Sequence, residues 1–65
     1  MNWRGYLDAD PTILFGKLVV RNTRIPVDLL LEKMAAGDGF DDLLKAYPRL
    51  SREALQACLL FTASR

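Results

Sequence analysis

Two helix breakers cut the chain after Pro26 into three apolar stripes, and this division limits the possible folds more than any other feature. Val27, Leu30, Leu31 and Met34 recur at i, i+3, i+4 and i+7, the repeat of one buried helix face, and Gly37 ends the run as the residue beyond a helix terminus. Phe40, Leu43, Leu44 and Tyr47 repeat the spacing, with Asp41 and Asp42 in the first turn, where carboxylates favour the helix dipole. Pro48 stops that second helix, because the residue before a proline is pushed out of the α region. Ser51 then reads as the N-cap of a third helix. Glu53 lies in its first turn, Leu50 and Leu55 are placed as a hydrophobic staple, and Leu55, Cys58, Leu59 and Thr62 form its stripe. Pro26 suits the first position of the first helix, where a missing N–H costs nothing. Only Pro48-Arg49-Leu50 joins the last two helices, and so short a turn makes them cross around a shared core. The expected fold class is mainly α: a three-helix, helix-turn-helix unit over residues 26–65, preceded by a short β-hairpin or strands over residues 1–25, in one domain.

Before Pro26 the residues favour strands. Ile13-Leu14-Phe15 and Leu18-Val19-Val20 are β-branched or bulky and flank Gly16-Lys17, which predicts a tight hairpin. Asp8-Ala9-Asp10-Pro11 reads as a turn, since Asp caps turns and Pro presets φ. Trp3 to Leu7 is either a further short strand or an arm that orders only against a partner.

A domain of 65 residues buries only about 60% of the surface that its unfolded chain exposes, yet 51% of this chain is hydrophobic. The excess predicts an apolar patch for another subunit, and hence a homo-oligomer, most simply a dimer. Phe15 at the hairpin and Leu60 and Phe61 on the last helix are the candidate contacts. Nine Lys and Arg against eight Asp and Glu leave a formal charge of +1, which excludes a basic coat but not a local basic patch. The single cysteine, Cys58, closes no intramolecular disulfide. The N-terminus has no apolar signal region and no run approaches a membrane span, so a cytoplasmic protein without membrane contact is expected.

Basic side chains bracket the turn into the third helix. Lys45, Arg49 and Arg52, with Ser51 and with Gln56 one turn after Arg52, stand where a helix-turn-helix meets phosphates and base edges of DNA. A solvated helix face explains the same residues, and Glu53 weakens the local field. Arg21-Asn22-Thr23-Arg24 is a second polar concentration. It is either a strand-to-helix turn, with Asn22 tolerating a left-handed backbone and Thr23 bonding locally, or a clamp in which Arg21, Thr23 and Arg24 hold a phosphate or a partner's carboxylate. Catalysis finds little support. The chain has no histidine, Cys58 lies in an apolar stripe, Asp8 and Asp10 lack a third metal ligand, and Gly16-Lys17 lacks the rest of a phosphate loop. No enzyme, metal or cofactor is expected.

Asp10-Pro11, Gly16-Lys17, Arg21, Thr23-Arg24-Ile25-Pro26-Val27, Gly37, Asp41-Asp42, Tyr47-Pro48 and Leu50-Ser51 follow one another without gaps in a pattern that resembles domain-of-unknown-function family 433. The run from Asp10 to Phe61 covers about four-fifths of the chain. The chain departs from the pattern at Phe15 and Leu18, where the family favours Gly and Pro, and at Asn22, which replaces a Gly; Asn holds a positive φ, so that turn is expected to survive. The resemblance implies a homeodomain-like helical unit and an antitoxin-like role: binding a nuclease-like toxin and repressing its own operon by binding operator DNA. With the chain ending soon after the last helix, toxin binding is expected to use folded surface or the N-terminal arm. Two alternatives stand beside this reading: a protein-interaction module that binds no DNA, and a structural subunit that only dimerises.

Overall fold

The computed structural model describes residues 2–12 and 14–64. A two-stranded antiparallel hairpin, β1 (Leu7–Ala9) and β2 (Leu18–Val20), is followed by three helices: α1 (Val27–Ala35), α2 (Phe40–Ala46) and α3 (Arg52–Ala63). The three helices fall where the apolar stripes place them. Their ends are set by local chemistry. Ser51 Oγ accepts from the Ala54 N–H at 3.1 Å, and the Asp42 carboxylate accepts from the Gly39 N–H at 2.9 Å. Gly37, at φ 108°, closes α1: its N–H donates to the Met34 carbonyl and the next N–H, of Asp38, donates to the Lys33 carbonyl. This paired 5→2 and 6→1 arrangement needs a left-handed residue, which glycine adopts without a steric penalty. Pro26 differs from expectation by one position. It is the N-cap of α1, extended at ψ 140°, and it also forms an isolated antiparallel bridge to Val19.

The hairpin has a different register from the one that the sequence suggests. β1 is Leu7–Ala9, with Leu7 opposite Val20, Asp8 opposite Val19 and Ala9 opposite Leu18. Of the expected strand at residues 13–15, Ile13 lies outside the described residues, and Leu14 and Phe15 instead form one left-handed turn with Gly16, with φ of 49°, 59° and 82°. The reason is the competing chemistry at Asp10, whose Oδ1 accepts from both the N–H and the hydroxyl of Thr12, at 2.9 and 2.7 Å. That turn ends β1, and β2 does not begin until Leu18. β1 needs Leu7 in the core opposite Val20, and burial of that pair outweighs the strand propensity of Leu14 and Phe15, both of which are exposed.

Leu7, Val20, Val27, Leu30, Leu43, Leu50, Ala54, Leu55, Ala57 and Cys58 make one buried cluster. α3 is its spine and packs on α1, α2, β1 and the short turn Trp3–Gly5. Leu55 and Cys58 belong to the α3 stripe as expected, but Leu59 is 45% exposed and Thr62 is exposed, because Ala54 and Ala57 turn inward instead. The N-terminal segment is neither a strand over its length nor a partner-dependent arm. Trp3 meets Phe61 edge to face at 4.9 Å, Arg4 stacks over Trp3 at 4.7 Å, and Arg21 donates to the Arg4 carbonyl at 3.2 Å.

Candidate functional site

Two surfaces bring together the residues singled out above. The first is the outer face of α3 with the turn before it. Arg52 and Gln56 are exposed one turn apart on this face, Leu59 continues it, and Lys45 and Arg49 are exposed on α2 and in the turn. Ser51 stands at the start of the helix, with its oxygen committed to the Ala54 N–H and its hydroxyl hydrogen left to donate. Arg52 is bridged to Asp41 in the first turn of α2, with 57% and 85% of the two side chains exposed. A bridge so exposed contributes about 0–1 kcal/mol, less than the roughly 1–3 kcal/mol that a bidentate base contact contributes, so it holds Arg52 in place without preventing its exchange to another acceptor.

The second surface is a groove of about 600 Å³ on the outer face of the hairpin, lined by Asp8, Asp10, Val19, Asn22, Thr23, Arg24, Ile25 and Arg49. Alternation along the strands builds its floor: Leu7 and Val20 face the core, so their neighbours Asp8 and Val19 face away from it. Val19 is only 2% exposed yet stands outside the main core cluster, as a residue enclosed by the groove walls would. The wall at residues 22–25 is fixed by Asn22 at φ 65° and by Thr23, whose hydroxyl donates to the Val20 carbonyl at 2.7 Å and accepts from the Ile25 N–H at 3.1 Å. Arg49 closes the other side from the α2–α3 turn.

Of the residues proposed for an anion clamp, Thr23 and Arg24 line this groove, while Arg21 is drawn off to the Arg4 carbonyl. Arg49 takes its place, a neighbour supplied by tertiary structure and invisible in the sequence. Asp8 and Asp10, read in the sequence only as part of a turn, also line it: Asp8 lies in β1, on the face opposite that of Leu7, and Asp10 follows two residues on, just past the strand's end. The Asp10 carboxyl is held below the usual range, first by the Thr12 N–H and then by its hydroxyl.

The remaining candidates separate. Phe15 is fully exposed at the loop tip, whereas Leu60 and Phe61 are half-buried and Phe61 is occupied by Trp3 of the same chain. Cys58 is enclosed in the core and burial pushes its thiol up from 9.0 to about 11. Among the described residues, no group of three or more His, Cys, Asp or Glu is placed to hold a metal ion, and no helix is long and apolar enough to cross a membrane.

A family model described as "Protein of unknown function (DUF433)" matches residues 8–62. The chain is 34% identical over 58 residues to the uncharacterized protein y4eO of Sinorhizobium fredii, covering 89% of this chain and 26% of that protein. The crystal structure of a DUF433 member protein from Anabaena variabilis superposes with a TM-score of 0.85 at 32% identity, over 91% of this chain and 58% of the other. The chain thus spans about a quarter of the first relative and less than three-fifths of the second.

Proposed function

The chain belongs to the DUF433 family of proteins of unknown function, and from that premise we propose that it is a cytoplasmic, antitoxin-like regulator that binds operator DNA through α3 and a protein toxin through a separate surface. The observation that carries the DNA half is the exposed pair Arg52 and Gln56 on the outer face of α3, directly after the short turn at residues 47–51. Both side-chain types reach base edges through paired hydrogen bonds, and the first turn of a second helix is where such a module meets the major groove. Lys45 and Arg49 beside it supply phosphate contacts. Helix-turn-helix proteins commonly bind as two-fold dimers, and the exposed apolar tip at Phe15 supports a homodimer here. A binding rather than catalytic role is supported by the enclosed, protonated thiol of Cys58, the one cysteine of a chain without histidine.

The test is a titration of the protein against the duplex upstream of its own gene and a scrambled duplex, at two salt concentrations. Tighter binding to the upstream duplex, weakening with salt, is expected; equal or no binding to both would remove the DNA half. Co-purification with the product of the adjacent gene tests the partner half.

A protein-only reading is favoured by one specific observation. Asp41, Asp42 and Glu53 surround Lys45, Arg49 and Arg52, so the turn carries three charges of each sign and little net attraction for a polyanion.

A further inference from the structure

We propose that the groove between the hairpin's outer face and the α2–α3 turn is a docking site for a peptide segment of a protein partner that carries an acidic and a basic residue side by side. The inference rests on the partner half of the reading above and gives that partner a surface that shares only Arg49 with the DNA-binding face.

The groove holds four charged side chains, Asp8, Asp10, Arg24 and Arg49, and none is ion-paired to another described residue: the bridges among those are Lys17–Asp28 and Arg52–Asp41. The guanidinium groups of Arg24 and Arg49 also make no hydrogen bond to a described residue, so their forked donors are open to a carboxylate. The Asp8 and Asp10 carboxylates each use Oδ1 on a local bond, to Ala9 and to Thr12, which leaves acceptor capacity for an incoming cation. The charged groups of a nucleic acid are all phosphates, and two carboxylates in the same groove repel them. A segment with both signs satisfies all four groups. Half-buried Ile25, backed by the enclosed Val19, gives the groove an apolar patch for the partner's side-chain stems. The walls are fixed before binding by the Thr23 bonds and by the Leu50 N–H donating to the Tyr47 carbonyl at 3.0 Å.

The experiment is an amide NMR titration of the whole chain with a short synthetic peptide of alternating Glu and Lys. An all-Glu peptide, a Gly-Ser peptide of equal length and the upstream DNA duplex are titrated in parallel. The mixed peptide is expected to move the amides of residues 8–10, 22–25 and 49 and to leave those of Arg52 and Gln56 in place. Arg24→Glu should weaken that binding several-fold while retaining a dispersed, folded spectrum. The proposal is overturned if the mixed peptide moves none of the groove amides, or if the Gly-Ser peptide, the all-Glu peptide or the duplex moves those of residues 8–10 and 22–25 as strongly. A duplex that shifts α3 while the mixed peptide shifts nothing removes the groove and leaves the DNA reading standing. A mixed peptide that shifts the groove while the duplex shifts nothing does the reverse.

Discussion

Leu55 and Leu59 stand one turn apart on α3, and the first is fully enclosed while the second is 45% exposed. Truncating a buried leucine removes its transfer free energy and leaves a cavity, so Leu55→Ala should cost about 2–5 kcal/mol. Leu59→Ala should cost under about 1 kcal/mol, since much of that side chain is already in water. Urea melts of the two variants check the contrast, and equal losses would mean that α3 is rotated about its axis. Cys58 gives a pH test. In the unfolded chain its thiol ionises near 9.0, and in the folded chain near about 11. Between those values the unfolded state has lost a proton that the folded state keeps, so the contribution of Cys58 to stability is intact below pH 9.0 and falls as pH rises towards 11. The slope of stability against pH over that window should be shallower in Cys58→Ala than in the parent chain.

Element ends are where local chemistry and tertiary packing divide the work. Ser51→Ala removes the acceptor of the Ala54 N–H and should cost about 0.5–2 kcal/mol, read as a lower midpoint in urea. The helices were legible in the sequence because each repeats at 3.6 residues and carries its own stop or start, Gly37, Pro48 or Ser51. The hairpin was legible only in β2. β1 is three residues long with one buried side chain, Leu7, too little for a period-two pattern to register, and the Asp10–Thr12 turn that ends it competes with the more conspicuous Gly16-Lys17. The site divides in the same way. Arg52 and Gln56 share a face by helical spacing, which sequence displays. Arg24 and Arg49 line one groove through packing of the helical unit on the hairpin, which it does not.

For the whole molecule, the unsolved surplus is apolar surface at the loop tip. Phe15 is fully exposed at φ 59° beside Leu14 at 49°, and a bulky residue in the left-handed region costs about 1 kcal/mol or more. Asn occupies that region more readily, so Phe15→Asn should leave the isolated chain as stable as before or more stable by up to about 1 kcal/mol. If the tip joins two copies, light scattering should find the parent chain heavier than its 7.3 kDa monomer and Phe15→Asn at the monomer mass. A parent chain that is monomeric at tens of micromolar would remove the dimer from the account.

The face of α3 is tested most directly by comparing Arg52→Ala with the parent chain on the upstream and scrambled duplexes at two salt concentrations. The loss of a side chain that reaches a base edge should cost about 1–3 kcal/mol on the upstream duplex and less on the scrambled one. Unchanged affinity of Arg52→Ala for both duplexes, or an equal loss on both, would contradict base reading by α3.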